Sequence, residues 1–241
     1  MEKTALFLSP HFDDEVLMGG GTIQVLKRKG WKVVVIAFTQ SEESGATSSE
    51  TMGSMEKAKE ILGIDTIGVD KSSKNLRDMH LADSPGDLIK AIIKQIRYHE
   101  PKVVFTTCKD FHVDHRAMAE YVPEAAYQAS RKGIMGSGKS YYEPFVLLGR
   151  VDMEFPVKMR SDMFVELSKE EIEKKVEAIG AFGYLKDAHP ATLDIFSESH
   201  AMNWTTAVAK LSGIECGRSD KYAEIFEIGN IKPMLDLELF L

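Results

Sequence analysis

Short apolar runs alternate with segments of helical spacing over about the first 110 residues, and this alternation limits the possible folds more than any other feature of the chain. The second run reads KVVVIAF, a continuous β-branched stretch typical of a strand that is covered on both faces. One strand and one helix recur about every 30 residues, which predicts a parallel sheet packed between helices. The four expected strands are Thr4 to Leu8, Lys32 to Phe38, Thr66 to Val69 and Val103 to Thr106.

Caps and helix breakers set the expected helix boundaries. Gly30 and Gly63 each follow a helical pattern and predict its end. Asp83 or Ser84 is a suitable N-cap for a third helix, with proline in its first turn. The three predicted helices are Val16 to Lys29, Glu50 to Leu62, and Pro85 to about His99.

The second half of the chain predicts further strands and one well-capped helix. Apolar runs at Phe145 to Leu148 and Met163 to Val165 indicate strands. Ser168 with Glu171 predicts a capping box for a helix from Lys169 to about Ala181. The expected fold class is therefore α/β, a Rossmann-like parallel sheet flanked by helices, with additional C-terminal strands.

Length, composition and charge limit the possible classes of protein. With 241 residues, 44% of them hydrophobic, the chain can bury one large core, and we expect a single domain over residues 1–241. The 30 Lys and Arg residues against 37 Asp and Glu give a net charge of -7. No basic stripe is interleaved with aromatic residues, so nucleic acid is not an expected partner.

Cysteine use and hydropathy predict the compartment. Cys108 and Cys216 are the only cysteines, and neither belongs to a CxxC pair, so a reducing environment is the simplest interpretation. The apolar stretch from Ala5 to Ser9 is too short for a signal peptide, and no run approaches the ~20 apolar residues of a membrane span. We therefore expect a cytoplasmic protein without a membrane span.

The first strand ends in a cluster of ionisable residues, LFLSPHFDDEV at Leu6 to Val16. His11 and Asp14 are nitrogen and oxygen ligands suited to zinc or another divalent first-row metal. Asp13 would then point beside the metal, where a base is useful. The alternative interpretation is a charged helix N-terminus, because each acidic residue there gains about 0.3 to 1 kcal/mol from the helix dipole.

The fourth strand is followed by a second such cluster, CKDFHVDHR at Cys108 to Arg116, just before a helix predicted from Arg116 to about Arg131. Ligands of doubly wound sheets bind beyond the carboxyl ends of the strands where the strand order reverses, commonly between the first and fourth strands. His112 and His115 are three residues apart, so one can bind a metal while the other faces a substrate. Two histidines and one carboxylate leave open positions, as catalytic zinc sites do, although Fe(II) sites use the same ligand types.

These two motifs resemble the zinc-dependent N-deacetylases of the PIG-L/LmbE-like family. That family includes N-acetylglucosaminyl-phosphatidylinositol de-N-acetylase and deacetylases that act in mycothiol and bacillithiol synthesis or on diacetylchitobiose. The matching stretches span nearly the whole chain: SPHFDDEVLMGGG, MEKAKEILGI, HVDHRAMAEYVPEAA and, more weakly, SDMFVELSKEEIEKKVEAI and KYAEIFEI.

The resemblance implies a role for each residue of the two motifs. It implies hydrolysis of an N-acetyl group on an N-acetylglucosamine-type amino sugar or conjugate, which releases acetate and a free amine. Asp114 would orient a histidine, and His112 would stabilise the oxyanion or protonate the amine. Asp13 would be the general base, and the zinc ligands would be His11, Asp14 and His115.

Departures from the family pattern concern the substrate contacts. Many relatives carry Arg three residues before the glutamate of the second helix, where this chain has Gly53. Phe12 replaces a common proline, and an aromatic side chain there could line the mouth of the site.

Glu224 lies in a triplet that relatives carry at the rim of the active site. We therefore expect Phe12 and Glu224 to contact the substrate.

Two other functions compete with deacetylation. Residues 133–140, GIMGSGKS, match the phosphate-loop pattern, in which Lys139 would bind phosphates of a nucleotide. A phosphate loop follows a strand and precedes a helix, whereas here a helix is expected before the loop and a strand after it. We expect instead a glycine-rich loop near the site entrance. A non-catalytic sugar-binding relative is disfavoured because the set of motif residues is complete.

Two late segments lack a motif. Residues 187–203 show no regular pattern. The tail at residues 231–241 is apolar enough to pack on the body of the protein or on another subunit. The sequence is therefore compatible with a homo-oligomer.

Overall fold

A computed structural model of the protein describes residues 3–39, 48–136, 142–151, 159–182 and 198–230. These residues contain six α-helices and one seven-stranded sheet. The strands are β1 (Thr4–Ser9), β2 (Lys32–Ala37), β3 (Thr66–Val69), β4 (Val103–Thr107), β5 (Phe145–Gly149), β6 (Met163–Leu167) and β7 (Tyr222–Ile228). The helices are α1 (Asp14–Arg28), α2 (Ser48–Leu62), α3 (Pro85–His99), α4 (Val113–Ser130), α5 (Lys169–Ile179) and α6 (Glu198–Glu215).

The sheet has the order β3-β2-β1-β4-β5-β7-β6. The first five strands in this order are parallel, whereas β7 pairs antiparallel with both β5 and β6. The strand order reverses between β1 and β4, so the predicted switch point is confirmed. The α/β class and the additional C-terminal strands are confirmed as well.

The central strands β1, β2, β4 and β5 are buried on both faces, as the β-branched pattern predicts, whereas the edge strands β3 and β6 are partly exposed. Alternate residues of β1 enter the two halves of the core: Ala5 and Phe7 pack with α1, α2 and α5, while Leu6 and Leu8 pack with α3 and α4. All four side chains are fully buried. Because helices pack on both faces of β1 and β4, these strands hold fixed positions in the fold. The loops at their carboxyl ends are therefore held in place as well.

The helix α4 begins three residues earlier than the sequence pattern predicts. His112 is its N-cap, and Nδ1 of that ring accepts a hydrogen bond from the Asp114 N–H at 3.2 Å. Histidine is not among the common N-cap residues, which is why the sequence pattern predicts a later start. Asp114 and His115 consequently lie in the first helical turn. The predicted capping box of Ser168 and Glu171 at the start of α5 is confirmed.

Two C-terminal elements were not predicted. The helix α6 begins at Glu198, inside the stretch that showed no regular pattern, so that expectation was wrong from residue 198 onward. The strand β7 places two carboxylates, Glu224 and Glu227, in an otherwise apolar run. Residues 137–141, 183–197 and the tail at 231–241 lie outside the described residues. In the described part of the chain, no helix combines the length and hydropathy that crossing a membrane requires.

Candidate metal centre

The two motifs meet at the carboxyl ends of β1 and β4. One motif occupies the turn from β1 to α1, and the other occupies the turn from β4 to α4. Their three histidines form a compact group. The ring centroids lie 4.7 Å apart for His11 and His112, 4.6 Å for His112 and His115, and 5.6 Å for His11 and His115.

The Asp14 carboxylate lies between two of these rings. Its Oδ2 is 3.2 Å from Nδ1 of His11, and its Oδ1 is 3.2 Å from Nε2 of His115. Two ligand atoms of a tetrahedral zinc ion with bonds of about 2.0 to 2.1 Å lie about 3.3 Å apart. Each separation taken alone matches two ligand atoms of one divalent metal, and the two separations involve different oxygens of Asp14. His11, Asp14 and His115 are therefore candidate ligands.

The second nitrogen of each ring faces another carboxylate. Nε2 of His11 lies 3.0 Å from Oδ1 of Asp78 and 3.3 Å from Oδ2 of Asp114. Nδ1 of His115 lies 2.5 Å from Oδ2 of Asp110. Metal-binding histidines usually donate the N–H of the other ring nitrogen to a carboxylate or carbonyl, which fixes the tautomer and the ring orientation. Both histidines have this arrangement.

Charge also favours a cation at this point. Four aspartate carboxylates surround two histidines, namely Asp14, Asp78, Asp110 and Asp114. Burial opposes protonation of His11 and His115, but the carboxylates outweigh it and raise the pKa of His115 to about 9 and that of His11 well above its ordinary value. Burial acts to raise the pKa of Asp14, yet the charge of His115 holds it far below its usual range. Carboxylates outnumber the two rings even when both rings are protonated, and a divalent cation bound to the neutral rings would replace the charge of these two protons.

Two other donor groups share His11 with this one, and among the described residues they, rather than the group with Asp14, meet a common distance limit. Ligand atoms of His11, His112 and His115 lie within 4.8 Å of one another, and so do those of His11, Asp78 and Asp114. All three groups share His11. Because Nδ1 of His112 already accepts the Asp114 N–H, only Nε2 of that ring remains for another partner.

Asp13 differs from its neighbour Asp14 in burial and in backbone conformation. Asp14 is 2% exposed, whereas Asp13 is only partly buried. Asp13 is the N-cap of α1 with φ 144° and ψ -31°, a conformation that L-residues rarely adopt. Its carbonyl accepts hydrogen bonds from Val16 and Leu17, both at 2.9 Å. The strained turn therefore directs two adjacent carboxylates into different surroundings.

Glu15, the last acidic residue of this motif, is fully buried beneath the turn. Its Oε2 accepts a weak hydrogen bond from the Asp13 N–H at 3.3 Å. Burial raises the pKa of Glu15 to about 8, which favours the protonated carboxyl group. The hydrogen bond with Asp13 places Glu15 under the turn that carries Asp13.

Asp114 connects the centre to the loop that follows β3. Its side chain is fully buried and accepts hydrogen bonds from the Met79 N–H at 2.8 Å and the Leu81 N–H at 3.0 Å. The same carboxylate contacts His11. The histidine beside the Asp114 carboxylate is thus His11, on the other motif.

Neither expected substrate contact lies at the mouth of the centre. Phe12 is fully buried in the core cluster that contains Phe7 and Val16, so the expectation that it lines the mouth was wrong. Both oxygens of Glu224 are occupied by hydrogen bonds from α1, and one also bonds Lys175. The exposed aromatic residue beside the histidines is instead Phe111, whose side chain is 76% exposed.

Sequence reasoning missed two carboxylates of the centre, Asp78 and Asp110. Asp110 stands two residues before His112 and was visible within the second motif. Asp78 lies 67 residues from His11, in the loop after β3. The rule that ligands gather beyond the carboxyl ends of parallel strands applies to β3 as well and would have marked this loop.

The phosphate-loop pattern lies in a different structural context. The described part of that segment, residues 133–136, follows α4 and forms a short turn, and β5 follows the segment. Lys139 and Ser140 lie outside the described residues. A strand followed by a helix, which a phosphate loop requires, does not flank this segment.

Comparison with solved structures places the fold among known proteins. The chain resembles the conserved protein TT1542 from Thermus thermophilus, with 24% identity, coverage of 96% of this chain and 95% of the other, and a TM-score of 0.77. It also resembles an N,N'-diacetylchitobiose deacetylase from Pyrococcus horikoshii, with 23% identity, 98% and 88% coverage and a TM-score of 0.73. A third similar structure is GalB, the 4-carboxy-2-hydroxymuconate hydratase from Pseudomonas putida, with 20% identity, 97% and 98% coverage and a TM-score of 0.70. At these identities the likeness carries the fold alone.

Sequence comparison identifies the family. No curated protein sequence matches the chain. The profile of the PIG-L family, described as GlcNAc-PI de-N-acetylase, matches residues 6–126, which is half of the chain and includes both motifs. The family resemblance expected from HFDDE and HVDH is confirmed: the chain belongs to the GlcNAc-PI de-N-acetylase (PIG-L) family.

Proposed function

We propose that the chain is a metal-dependent deacetylase that hydrolyses the N-acetyl group of an N-acetylglucosamine-type amino sugar or conjugate. The single observation that carries this proposal is the Asp14 carboxylate between two histidines whose other ring nitrogens face carboxylates. Membership of a family described as a de-N-acetylase supports the reaction type. The proposed enzyme is one domain spanning residues 1–241.

The proposed metal is zinc, held by His11, Asp14 and His115. When bound, it would polarise the amide carbonyl and lower the pKa of a water molecule. The protein residues orient these ligands: Asp110 directs the His115 ring, and Asp78 with Asp114 directs the His11 ring. Because a carboxylate contacts the second nitrogen of each ring, both rings are already oriented and need little reorganisation when the metal binds.

Asp13 is the proposed general base. It is adjacent to the ligand Asp14 in sequence but only partly buried, so its carboxylate can reach a water molecule that enters from solvent. Asp13 takes a proton from this water as it attacks the acetyl carbonyl, and then delivers the proton to the departing amine. The strained N-cap conformation supports this role, since strain of this kind is concentrated at functional sites.

His112 is the proposed donor to the carbonyl oxygen. Its Nδ1 accepts the Asp114 N–H, so a neutral ring keeps its proton on Nε2. Burial, together with the charges of His115 and His11, lowers the pKa of His112, which favours the neutral ring. This hydrogen bond therefore favours a neutral ring that donates Nε2–H as charge develops on the oxygen.

The rim of the centre supports a sugar substrate. Phe111 precedes His112, and its side chain is 76% exposed, while Met79 follows Asp78 and is 45% exposed. Arg116 donates to the Phe111 carbonyl at 2.5 Å, which holds the turn that displays the ring. A sugar ring presents an apolar face of C–H groups that can pack against such an aromatic side chain. The proposed substrate is therefore a small amino-sugar conjugate.

Acetate release tests the proposal. Parent protein with zinc, and protein treated with chelator and then resupplied with zinc, would be incubated with a panel of N-acetylglucosamine derivatives. We expect equal amounts of acetate and free amine, loss of both on chelation, and recovery with metal. No acetate from any member, with metal bound, would contradict the proposal, and binding without turnover would favour a non-catalytic sugar-binding protein.

The other candidate reactions have distinct readouts. A hydratase, such as the similar Pseudomonas putida protein, would consume an unsaturated acid without releasing acetate. The nucleotide-binding alternative predicts ATP affinity that is lost on Lys139→Ala. We expect no measurable ATP affinity in the parent.

A further inference from the structure

The helix that carries Asp14 is broken one turn after it. Gly19 has φ -153° and ψ 18°, outside the helical region, and divides α1 (Asp14–Arg28) into two segments. The first segment follows the strained N-cap Asp13 and carries the ligand Asp14. Its direction relative to the rest of α1 therefore decides where the two carboxylates point.

A buried ion pair is inserted at this break. In a continuous helix the Gly21 N–H would donate to the Leu17 carbonyl. Here the Leu17 carbonyl accepts a hydrogen bond from Nζ of Lys175 at 2.7 Å, and the Gly21 N–H donates to Oε1 of Glu224 at 3.0 Å. Lys175 and Glu224 bond each other at 2.7 Å. The pair thus bridges two backbone groups that a regular helix would join directly.

Glu224 also caps the second helical segment. Its Oε2 accepts from the Thr22 N–H at 2.7 Å and from the Thr22 hydroxyl at 2.6 Å. Lys175 is 4% exposed and Glu224 is 5% exposed, so both side chains are almost fully buried. The charges balance one to one, and both carboxylate oxygens are occupied. This arrangement leaves Glu224 little capacity to bind a substrate.

Close packing explains why the break is rich in glycine. A Cβ on Gly20 would lie 3.0 Å from Cγ of Lys175, and a Cβ on Gly19 would lie 2.8 Å from the Phe7 ring. Side chains at these positions would push α1 away from Lys175 and from β1. The glycines let α5 bring the lysine against the helix backbone.

We infer that Lys175 and Glu224 are positioning residues that orient the first segment of α1 and thereby place Asp13 and Asp14 at the metal centre. Lys175 holds the carbonyl end of this segment from α5, and Glu224 holds the start of the next segment from β7. The consequence for the metal centre rests on the proposed function, whereas the effect on the helix segment does not.

The same two helices offer a matched control. Arg28, at the far end of α1, pairs with Glu171 of α5 at 2.9 Å. Removing this pair weakens the contact between α1 and α5 without touching the break. Arg28→Met therefore controls for a general loss of packing between the helices.

The test combines two measurements on full-length variants. The central variant is Lys175→Met with Glu224→Leu, which removes both charges and leaves neither buried charge unpaired. Glu224→Gln is a milder second variant that keeps the size and one acceptor oxygen. Co2+ titration, followed by absorption of the bound ion, reports the ligand geometry. Amide hydrogen exchange of residues 14–18 without metal reports the helix segment.

We expect the double variant to bind Co2+ about tenfold more weakly, as for loss of groups that orient metal ligands, with a changed absorption spectrum. Exchange at residues 14–18 should accelerate in the double variant and, less strongly, in Glu224→Gln, whereas Arg28→Met should match the parent in both measurements. A folded double variant with parental Co2+ affinity, spectrum and exchange would overturn the inference. If either variant is unfolded, the other decides.

The two proposals can fail separately. If the parent binds no Co2+ and releases no acetate, the proposed function fails, while faster exchange at residues 14–18 in the variants still supports orientation of the helix by the pair. If the parent binds Co2+ and releases acetate but the variants behave like Arg28→Met, only the positioning role fails.

Discussion

Two groups of buried polar side chains contact α1, and they differ in charge balance. At the Lys175 and Glu224 pair, one positive and one negative group neutralise each other, and the carboxylate oxygens accept hydrogen bonds from the protein. At the candidate metal centre, four carboxylates surround two histidines. Both groups are shielded from water, so the difference does not come from exposure.

We infer from this difference that the first group has a structural role and the second binds a cation. A balanced buried pair needs no further partner, because its desolvation cost is offset within the protein. An excess of carboxylate in a buried position is unfavourable unless protons or a cation neutralise it. The raised pKa of His115 is a consequence of this carboxylate excess: without a metal, the ring takes up a proton instead. Perturbing each group should therefore have different consequences.

The largest expected effect comes from removing a ligand. His115→Ala should abolish both metal binding and acetate release, because it deletes a ligand nitrogen and leaves Asp110 without its ring partner. Metal content of the purified variant, measured with acetate release, checks this. An active variant with a full complement of metal would refute the ligand assignment.

The two neighbouring aspartates should separate chemistry from metal binding. Asp13→Asn should lower kcat by about 10²- to 10⁴-fold, the usual contribution of a general base, and should keep the metal. Asp14→Asn is the matched comparison and should lose metal affinity. Both are checked by metal analysis and steady-state kinetics. Equal turnover by Asp13→Asn and the parent would refute the base assignment.

Metal affinity should depend on pH, because the carboxylate excess holds protons when metal is absent. Burial acts to lower the pKa of both histidines. Asp14 and Asp110 nevertheless raise the pKa of His115 to about 9, and the neighbouring carboxylates raise the pKa of His11 well above its ordinary value. Metal must displace up to two protons, so affinity should fall about tenfold per pH unit for each proton as pH drops below about 9. Co2+ affinity measured from about pH 6 to 9 checks the slope; an affinity independent of pH would contradict it.

A smaller effect is expected from the carboxylates behind the rings. Asp110→Asn should weaken metal affinity by about 10- to 100-fold, because the His115 ring loses its charged partner. The matched control is Asp83→Asn, whose carboxylate pairs with the exposed His80 at 2.7 Å outside the centre. Chelator competition measures both. If the two variants bind metal equally well, the orienting role of Asp110 is wrong.

The smallest expected effect concerns the rim. Phe111→Ala should raise KM for a sugar substrate by about two- to tenfold through loss of ring packing, and should leave kcat nearly unchanged. Phe164→Ala is the control, since this ring on β6 is also exposed but lies away from the histidines. A fall in kcat with constant KM would indicate that Phe111 positions the catalytic groups instead.

The fold was predictable where the pattern is local. The strands β1 to β4 are apolar runs bounded by glycine, proline or charge, and their positions follow from the sequence. The strand β7 was missed because Glu224 interrupts its apolar pattern, and its partner Lys175 lies 49 residues away. Asp78 was missed as a neighbour of His11, which lies 67 residues away in the chain. The end of β3 marks the loop that carries Asp78, but nothing in the sequence near either residue shows which distant residue it pairs with.

The sequence by itself determined the family, the order of the first four strands and helices, and the two motifs that supply His11, Asp13, Asp14, His112 and His115. These depend on spacing along the chain, which backbone geometry converts directly into a strand end and a helix start. Only the tertiary structure decided that Phe12 is core, that Glu224 joins Lys175 at a helix break, and that Asp78 and Asp110 stand behind the rings. Those outcomes depend on which elements pack together, because burial determines which distant charges must pair.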